Sequence, residues 1–105
     1  MTMNKPWHAR YPAGVPKTIY PDNYANIIEL YEESFSRYRQ HPISICMGVT
    51  HTYGDVDDAS LAIAAWLQGQ GLPRGSVVAL MMPNVPQYLP TMIGILRAGY
   101  ICTPV

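Results

Sequence analysis

The chain has 105 residues, enough for one domain at most. Seven Lys and Arg residues balance seven Asp and Glu residues, so the formal net charge is zero. The basic residues are scattered, which argues against nucleic-acid binding because that function needs a basic patch. No apolar run approaches the roughly 18 residues that a membrane-spanning helix requires.

Residues 1–25 are predicted to form an extended arm. Its four prolines favour extended and turn geometry over helix, namely Pro6, Pro12, Pro16 and Pro21. Aromatic side chains are rare in disordered tails, yet the arm contains Trp7, Tyr11, Tyr20 and Tyr24. We therefore expect it to dock on its own domain or on a second subunit, which would make a homodimer; the alternative is a flexible leader. The first residues lack the apolar core of a signal peptide, so we expect a cytoplasmic protein.

A first helix is predicted over residues 26–39. Asn26 and Glu29 have the spacing of a capping box, and Phe35 lies among apolar side chains at helical spacing. Glu32 and Glu33 could suggest acid–base chemistry, but adjacent residues on a helix point in different directions. We therefore expect them on a solvated face.

Two short strands are predicted around Gly48, over residues 43–49 and 50–53, as a β-hairpin. A second helix follows from Gly54 or Asp55, with its buried stripe at Val56, Ala59, Ile63, Trp66 and Leu67. We expect Phe35 and Trp66 to be the main core anchors. The three aspartates at the start of this helix, Asp55, Asp57 and Asp58, suit its positive end and lack the spacing of a calcium loop.

Residues 71–105 are predicted to form a strand, a crossover helix and a parallel strand. The apolar run 77–82 is typical of a strand buried on both faces. Asn84 is the expected helix cap, and because Pro90 is tolerated only in a first turn, the helix should begin near Pro86 or Gln87. Gly99 should end it, and the last strand covers residues 100–105.

Cys46 and Cys102 lie in predicted strands. No further cysteine accompanies them, and the three histidines share no metal-binding spacing with them. We expect both to be buried, reduced thiols.

The segments 77–84 and 94–99 closely resemble bacterial long-chain-fatty-acid–CoA ligases, members of the adenylate-forming, AMP-binding superfamily of acyl-CoA synthetases. Further similar segments are Trp7, residues 10–16, Pro21 with Asp22, Tyr24, Tyr53, residues 64–67 and Gly71 with Leu72. The resemblance covers essentially the whole chain. It implies an α/β fold that is the partial N-terminal part of the adenylate-forming enzyme fold: a β-hairpin, helices and one βαβ unit of a parallel sheet, preceded by the arm. Residues 26–105 would then be an incomplete N-terminal part of an AMP-binding domain.

The resemblance also implies a two-step reaction in a parent enzyme. A fatty acid and ATP, with Mg²⁺, give an acyl-adenylate and pyrophosphate, and the acyl group then passes to the thiol of coenzyme A (CoA). The family's phosphate loop, acidic residues and catalytic lysine have no counterpart in residues 1–105, whose only lysines are Lys5 and Lys17. We therefore assign no catalytic, cofactor-binding or metal-binding residue here, and expect the fragment alone to bind no cofactor and to be inactive. Asn84 and Arg97 match family positions, but a helix cap and a solvated helix-end charge explain them.

Two alternatives remain open at this point. The chain could be a non-catalytic dimerisation or interaction module derived from such an enzyme, since a strand edge without a partner can pair with another chain. It could also be a small nucleotide-binding protein, although it has no phosphate-cradling loop. For the parent ligase, we expect cytoplasmic residence with peripheral association at the inner membrane.

Overall fold

The structure is a computed structural model that describes residues 3–105. The predicted α/β arrangement of a hairpin, helices and one βαβ unit is confirmed. Its helices and strands, in chain order, are α1 Ile27–Arg37, β1 Pro42–Cys46, β2 Val49–Thr52, α2 Tyr53–Gln68, β3 Val77–Leu80, α3 Tyr88–Arg97 and β4 Ile101–Pro104.

The arm is extended apart from two short 3-10 turns, Pro6–Arg10 and Pro21–Asn23, neither of which buries a residue. Residues 1 and 2, which belong to the predicted arm, lie outside the described residues. The side chain of Trp7 is 48% exposed, and that of Ile19 is 83% exposed. The arm therefore presents apolar surface that residues 3–105 do not cover.

Helix α1 begins at the predicted cap. The Oδ1 atom of Asn26 accepts a hydrogen bond of 2.9 Å from the backbone N–H of Glu29. The Glu29 carboxylate accepts one of 2.7 Å from the N–H of Ala25, one residue before the capping residue. The helix ends at Arg37, two residues before the predicted end, and Arg39 lies beyond it, where its side chain pairs with α2.

The predicted hairpin is confirmed, with its turn at Met47 and Gly48. Both residues have positive φ, 50° and 82°, as in the two-residue turns that match the twist of antiparallel strands. Strands β1 and β2 therefore pair directly, with Cys46 opposite Val49. Val49, predicted in the first strand, belongs to the second.

Helix α2 begins at Tyr53, slightly earlier than predicted, because Thr52 and Asp55 form a capping box. The Thr52 hydroxyl accepts from the N–H of Asp55 at 3.1 Å, and the Asp55 carboxylate accepts from the N–H of Thr52 at 2.9 Å. Its buried residues are Gly54, Val56, Ser60, Ala64 and Leu67.

The prediction that Trp66 anchors the core is wrong. Its side chain is 65% exposed, because Trp66 lies about 100° around the helix from the buried Leu67. The face of α2 that packs against α3 carries small residues instead, and these allow the two helices to approach closely. A Cβ atom placed on Gly94 would lie 2.9 Å from the carbonyl oxygen of Ser60.

Helix α3 is the central element, because it contacts α1, α2 and both strands of the β3–β4 sheet. Its buried residues are Pro90, Ile93, Gly94 and Ile95. The predicted place of Pro90 in the first turn is confirmed. The predicted cap Asn84 is wrong: the helix begins at Tyr88, four residues later, and the preceding residues form turns in which Tyr88 N–H donates to the Val85 carbonyl.

Gly99 ends α3 as predicted, with φ of 93°. The Gly99 N–H donates to the Leu96 carbonyl and the Tyr100 N–H to the Ile95 carbonyl, the bonding pattern of a glycine-terminated helix. The chain then enters β4, which pairs in parallel with β3, Val77 opposite Ile101 and Leu80 opposite Pro104.

Two groups of buried side chains make up the core. Phe35 from α1, Val56 from α2 and Ile93 from α3 form the first. The second lies between α2, α3 and the sheet and consists of Ala64, Leu67, Leu80, Ile95, Ala98 and Tyr100. Phe35 is 1% exposed, so its predicted role as an anchor is confirmed.

We expect Phe35→Ala to lower the free energy of unfolding by roughly 3–5 kcal/mol, because it removes a fully buried ring. The matched control is Trp66→Ala, which removes a ring of similar size from an exposed position and should cost at most about 0.5 kcal/mol. Denaturant titration followed by circular dichroism measures both. Equal losses in the two variants would contradict this assignment of the core.

Candidate functional site

A cluster of charged side chains joins the three helices at Arg97. The Arg97 side chain is only 10% exposed. Its Nη1 atom donates to Oδ1 of Asp57 at 2.7 Å and to the hydroxyl of Ser60 at 2.8 Å. Both acceptors lie on α2, so the guanidinium fixes the end of α3 against that helix.

Helix α1 contributes two further contacts to this cluster. Glu32 lies 3.6 Å from Nη2 of Arg97, and the Arg97 guanidinium carbon lies 5.3 Å from the centre of the Phe35 ring, within the range of a cation–π interaction. The prediction that Arg97 is a solvated helix-end charge is therefore wrong, because tertiary contacts from two other helices enclose it. Glu32 is 57% exposed and Glu33 is exposed, as predicted for a solvated face.

The three aspartates at the start of α2 have structural partners. Asp55 belongs to the capping box, and the hydrogen bond from the Thr52 backbone lowers the pKa of its carboxyl. Arg39 donates to Asp57 and to Asp58, each at 2.9 Å, and its hydrogen bond with Asp58 raises the pKa of the guanidinium. Among residues 3–105, no three His, Cys, Asp or Glu side chains are arranged to hold a metal ion.

An apolar groove lies between the hairpin, the start of α2 and the loop that leads into α3. Its volume is about 550 Å³. Its apolar lining includes Cys46, Val49, Val56, Ala59, Val85 and Pro90. His51 and Asp55 lie at the same groove, but the capping box already engages the Asp55 carboxylate. The groove can hold an apolar group, and its polar side chains form no nucleophile–base pair that could carry out chemistry.

Neither cysteine is arranged as a nucleophile. Both are free and half-buried, and burial raises the pKa of the Cys102 thiol, which disfavours the reactive thiolate. Lys5 and Lys17 lie exposed in the arm. Within the described part of the chain, no helix is both long and apolar enough to cross a membrane.

Sequence reasoning missed the Arg97 cluster. One signal was available: Arg97 is one of only two charged residues after Asp58, in a helix whose other residues are apolar except Thr91 and the hydroxyl of Tyr88. A helix with that pattern is buried, and a charge on it needs a buried partner. Nothing in the sequence indicated that Asp57 and Ser60 would be the partners.

We expect Arg97→Met to lower the free energy of unfolding by about 3 kcal/mol, because it leaves the largely buried Asp57 without its closest partner. Arg37→Met is the matched control: it removes an exposed guanidinium from the end of α1 and should change stability by at most about 0.5 kcal/mol. Urea titration of both variants measures the difference. A loss in Arg97→Met no larger than that in the control would rule out a stabilising role for the cluster.

Comparison with known proteins places this chain in a family. Residues 31–105 match the AMP-binding enzyme family. The chain is 47% identical over 100 residues to a long-chain-fatty-acid–CoA ligase of Escherichia coli O6:H1, covering 94% of this chain and 18% of that protein. It is 38% identical over 104 residues to the ligase of the same name from Haemophilus influenzae, covering 98% of this chain and 18% of that protein. The chain thus spans under a fifth of these relatives' length.

Solved structures share the fold. The N-terminal subdomain of Klebsiella oxytoca NpsA superposes with a TM-score of 0.71 at 24% identity, over 75% of this chain and 21% of that one. The nonribosomal peptide synthetase FmoA3 superposes with a TM-score of 0.76 at 21% identity, over 85% of this chain and 10% of that one. These likenesses concern the fold alone. The family match and the identity to the curated ligases confirm the resemblance found in the sequence: the chain belongs to the AMP-binding enzyme family and corresponds to a small part of its long-chain-fatty-acid–CoA ligase members.

Proposed function

We propose that residues 1–105 are part of a long-chain-fatty-acid–CoA ligase, an acid–thiol ligase. The observation that carries the proposal is the 47% identity to such a ligase across 94% of the chain. The whole enzyme would convert a fatty acid, ATP and CoA into acyl-CoA, AMP and pyrophosphate through an acyl-adenylate. ATP, CoA and the fatty acid would therefore be its substrates, and Mg²⁺ would neutralise phosphate charge during adenylation.

Within that enzyme, residues 26–105 would serve as scaffold and supply no catalytic, cofactor-binding or metal-binding side chain. The contacts made by the Arg97 side chain support this role. Arg97 is engaged by Asp57, Ser60 and Glu32, so its guanidinium is committed to joining helices. Adenylation chemistry needs cationic groups directed at phosphate oxygens, and the remaining polypeptide of the enzyme would provide them.

The finer features of the proposal concern location and assembly. We place the enzyme in the cytoplasm, with peripheral association at the inner membrane, and we assign the arm, residues 1–25, to contacts between two subunits. The exposed apolar side chains of the arm support a docking role: Met3 is 73% exposed and Tyr20 is 69% exposed. A purely non-catalytic interaction module is less favoured, since the curated ligases match the chain along nearly its whole length.

An assay of two proteins tests the proposed function. The first is the 105-residue chain, and the second is the product of the longer parent reading frame. Each receives ATP, Mg²⁺, CoA and a long-chain fatty acid, and pyrophosphate and acyl-CoA are measured. We expect the longer protein to form both products and the 105-residue chain to form neither, because the phosphate-binding groups lie outside it.

Reactions without fatty acid are the control for ATP hydrolysis, and reactions without CoA separate adenylation from thioester formation. Absence of acyl-CoA from the longer protein with every long-chain fatty acid tested would contradict the proposed function. Acyl-CoA formed by the 105-residue chain itself would contradict the scaffold role.

A further inference from the structure

The outward face of helix α2 is apolar, whereas the solvated face of a surface helix is normally polar. Four exposed side chains at helical spacing define this α2 outer face: Leu61, Ala62, Ala65 and Trp66. The side chain of Leu61 is 49% exposed and that of Trp66 is 65% exposed. The face lies opposite the buried residues of the helix, so the packing of the three helices leaves it open.

The turn after α2 continues this surface with one apolar and one cationic side chain. Leu72 is 42% exposed, and Arg74 is exposed and belongs to no ion pair among residues 3–105. Both line a groove with Gln68, in the last turn of α2. The hydroxyl of Tyr100 donates to the Leu72 carbonyl at 3.2 Å. This bond holds the backbone of the turn beside the end of the helix.

The charges around this surface favour an anionic partner. Residues 59–105 contain no acidic side chain and two basic ones, Arg74 and Arg97. Arg97 is only 10% exposed and is enclosed by its own cluster. Toward the start of α2, the carboxylate of Asp58 is paired with Arg39 at 2.9 Å. Arg74 is therefore the exposed charge at the end of α2, and no acidic side chain of residues 59–105 opposes it.

We infer that the α2 outer face, together with Leu72 and Arg74, is the surface through which the ligase binds an anionic phospholipid bilayer. This inference rests on the proposed function and assigns its peripheral membrane association to named residues. Leu61 and Trp66 enter the interfacial region of the bilayer, where the amphipathic indole ring is favoured. Arg74 pairs with lipid phosphate. Because long acyl chains partition into bilayers, this contact brings the enzyme to its fatty-acid substrate.

The outer face of β3 shows by contrast why α2 is the better membrane surface. Val77 is 63% exposed there, which corrects the expectation that residues 77–82 are buried on both faces. Strands β3 and β4 contain no charged residue, so that face offers no cation for a headgroup. The α2 surface combines exposed apolar side chains, a Trp and a cation, which are features of helices that lie in the membrane interface. A second copy of the chain is the competing occupant and is an outcome of the test.

Co-sedimentation of the full-length ligase with vesicles tests the inference. The vesicles contain phosphatidylethanolamine with phosphatidylglycerol as the anionic lipid, and the partition coefficient is measured at low and at high salt. Trp66→Ala should lower the coefficient about tenfold, because it removes a large ring from the interface. Arg74→Gln should lower it about fivefold at low salt. The effect of Arg74→Gln should vanish at high salt and on phosphatidylcholine vesicles, since it is electrostatic.

Two matched pairs of variants control for non-specific effects. Leu61→Ala removes a branched side chain from the surface, and Ile45→Ala removes one of the same size from strand β1, where it is 72% exposed. Arg37→Gln, on α1, is the control for Arg74→Gln. We expect Leu61→Ala to weaken binding about threefold and both controls to leave it unchanged. Leu61→Ala also covers the case in which Trp66→Ala fails to fold.

Equal partition coefficients for Leu61→Ala and Ile45→Ala would overturn the inference, as would no binding of the unsubstituted ligase to the anionic vesicles. Sedimentation velocity without lipid tests the competing occupant. A dimer that Trp66→Ala converts to a monomer would also overturn the inference, because a second copy would then cover the surface.

Acyl-CoA formation is scored in the same preparations, with the fatty acid supplied in detergent micelles so that no bilayer is needed. An active enzyme whose vesicle binding is the same in all variants would overturn this inference alone. A protein that binds vesicles through this surface but forms no acyl-CoA would overturn the proposed function, while the membrane surface would stand.

Discussion

The pairing of Arg97 with Asp57 is the interaction on which the arrangement of the helices depends. A guanidinium that is 10% exposed is costly to bury unless its hydrogen bonds are satisfied, and here Asp57 and Ser60 satisfy them within 2.8 Å. Those acceptors are available only when α3 lies in one position along α2. The charge therefore selects one packing of the two helices among the several that apolar contact alone would tolerate.

Packing of small residues makes this charge pair geometrically possible. Gly94 faces Ser60 and Ile63 so closely that a Cβ atom would lie within 2.8–2.9 Å of their atoms. The resulting close approach brings Arg97, one turn further along α3, within reach of α2. Phe35 then packs beneath the guanidinium, so α1 is joined to the same point. Gly94 and Arg97 thus link three helices, and α3 in turn packs against the β3–β4 sheet.

The sequence predicted the elements better than their contacts. The hairpin, the helix cap at Asn26, the parallel strands and the helix end at Gly99 were all predicted and are all present. The reciprocal bond of a capping box is not formed at Asn26, because the Glu29 carboxylate accepts from Ala25 instead. Trp66, Asn84 and Arg97 were misassigned because their environments depend on tertiary structure. Periodicity alone did not show that small side chains of α2, and not Trp66, pack against α3. A proline-rich loop follows Asn84, so α3 begins only at Tyr88. No local pattern indicated which residues would be the partners of Arg97.

These features suit a segment whose contribution is architectural. The aspartates at the start of α2 cap that helix or pair with arginines, and Arg97 is held by neighbouring helices, so these charges stabilise the chain itself. A double-mutant cycle of Arg97→Met and Asp57→Leu, with free energies of unfolding for both single variants and the pair, tests this account most directly. We predict a coupling energy of about 1–3 kcal/mol. Additive losses, with a coupling near zero, would show that the pair does not organise the fold.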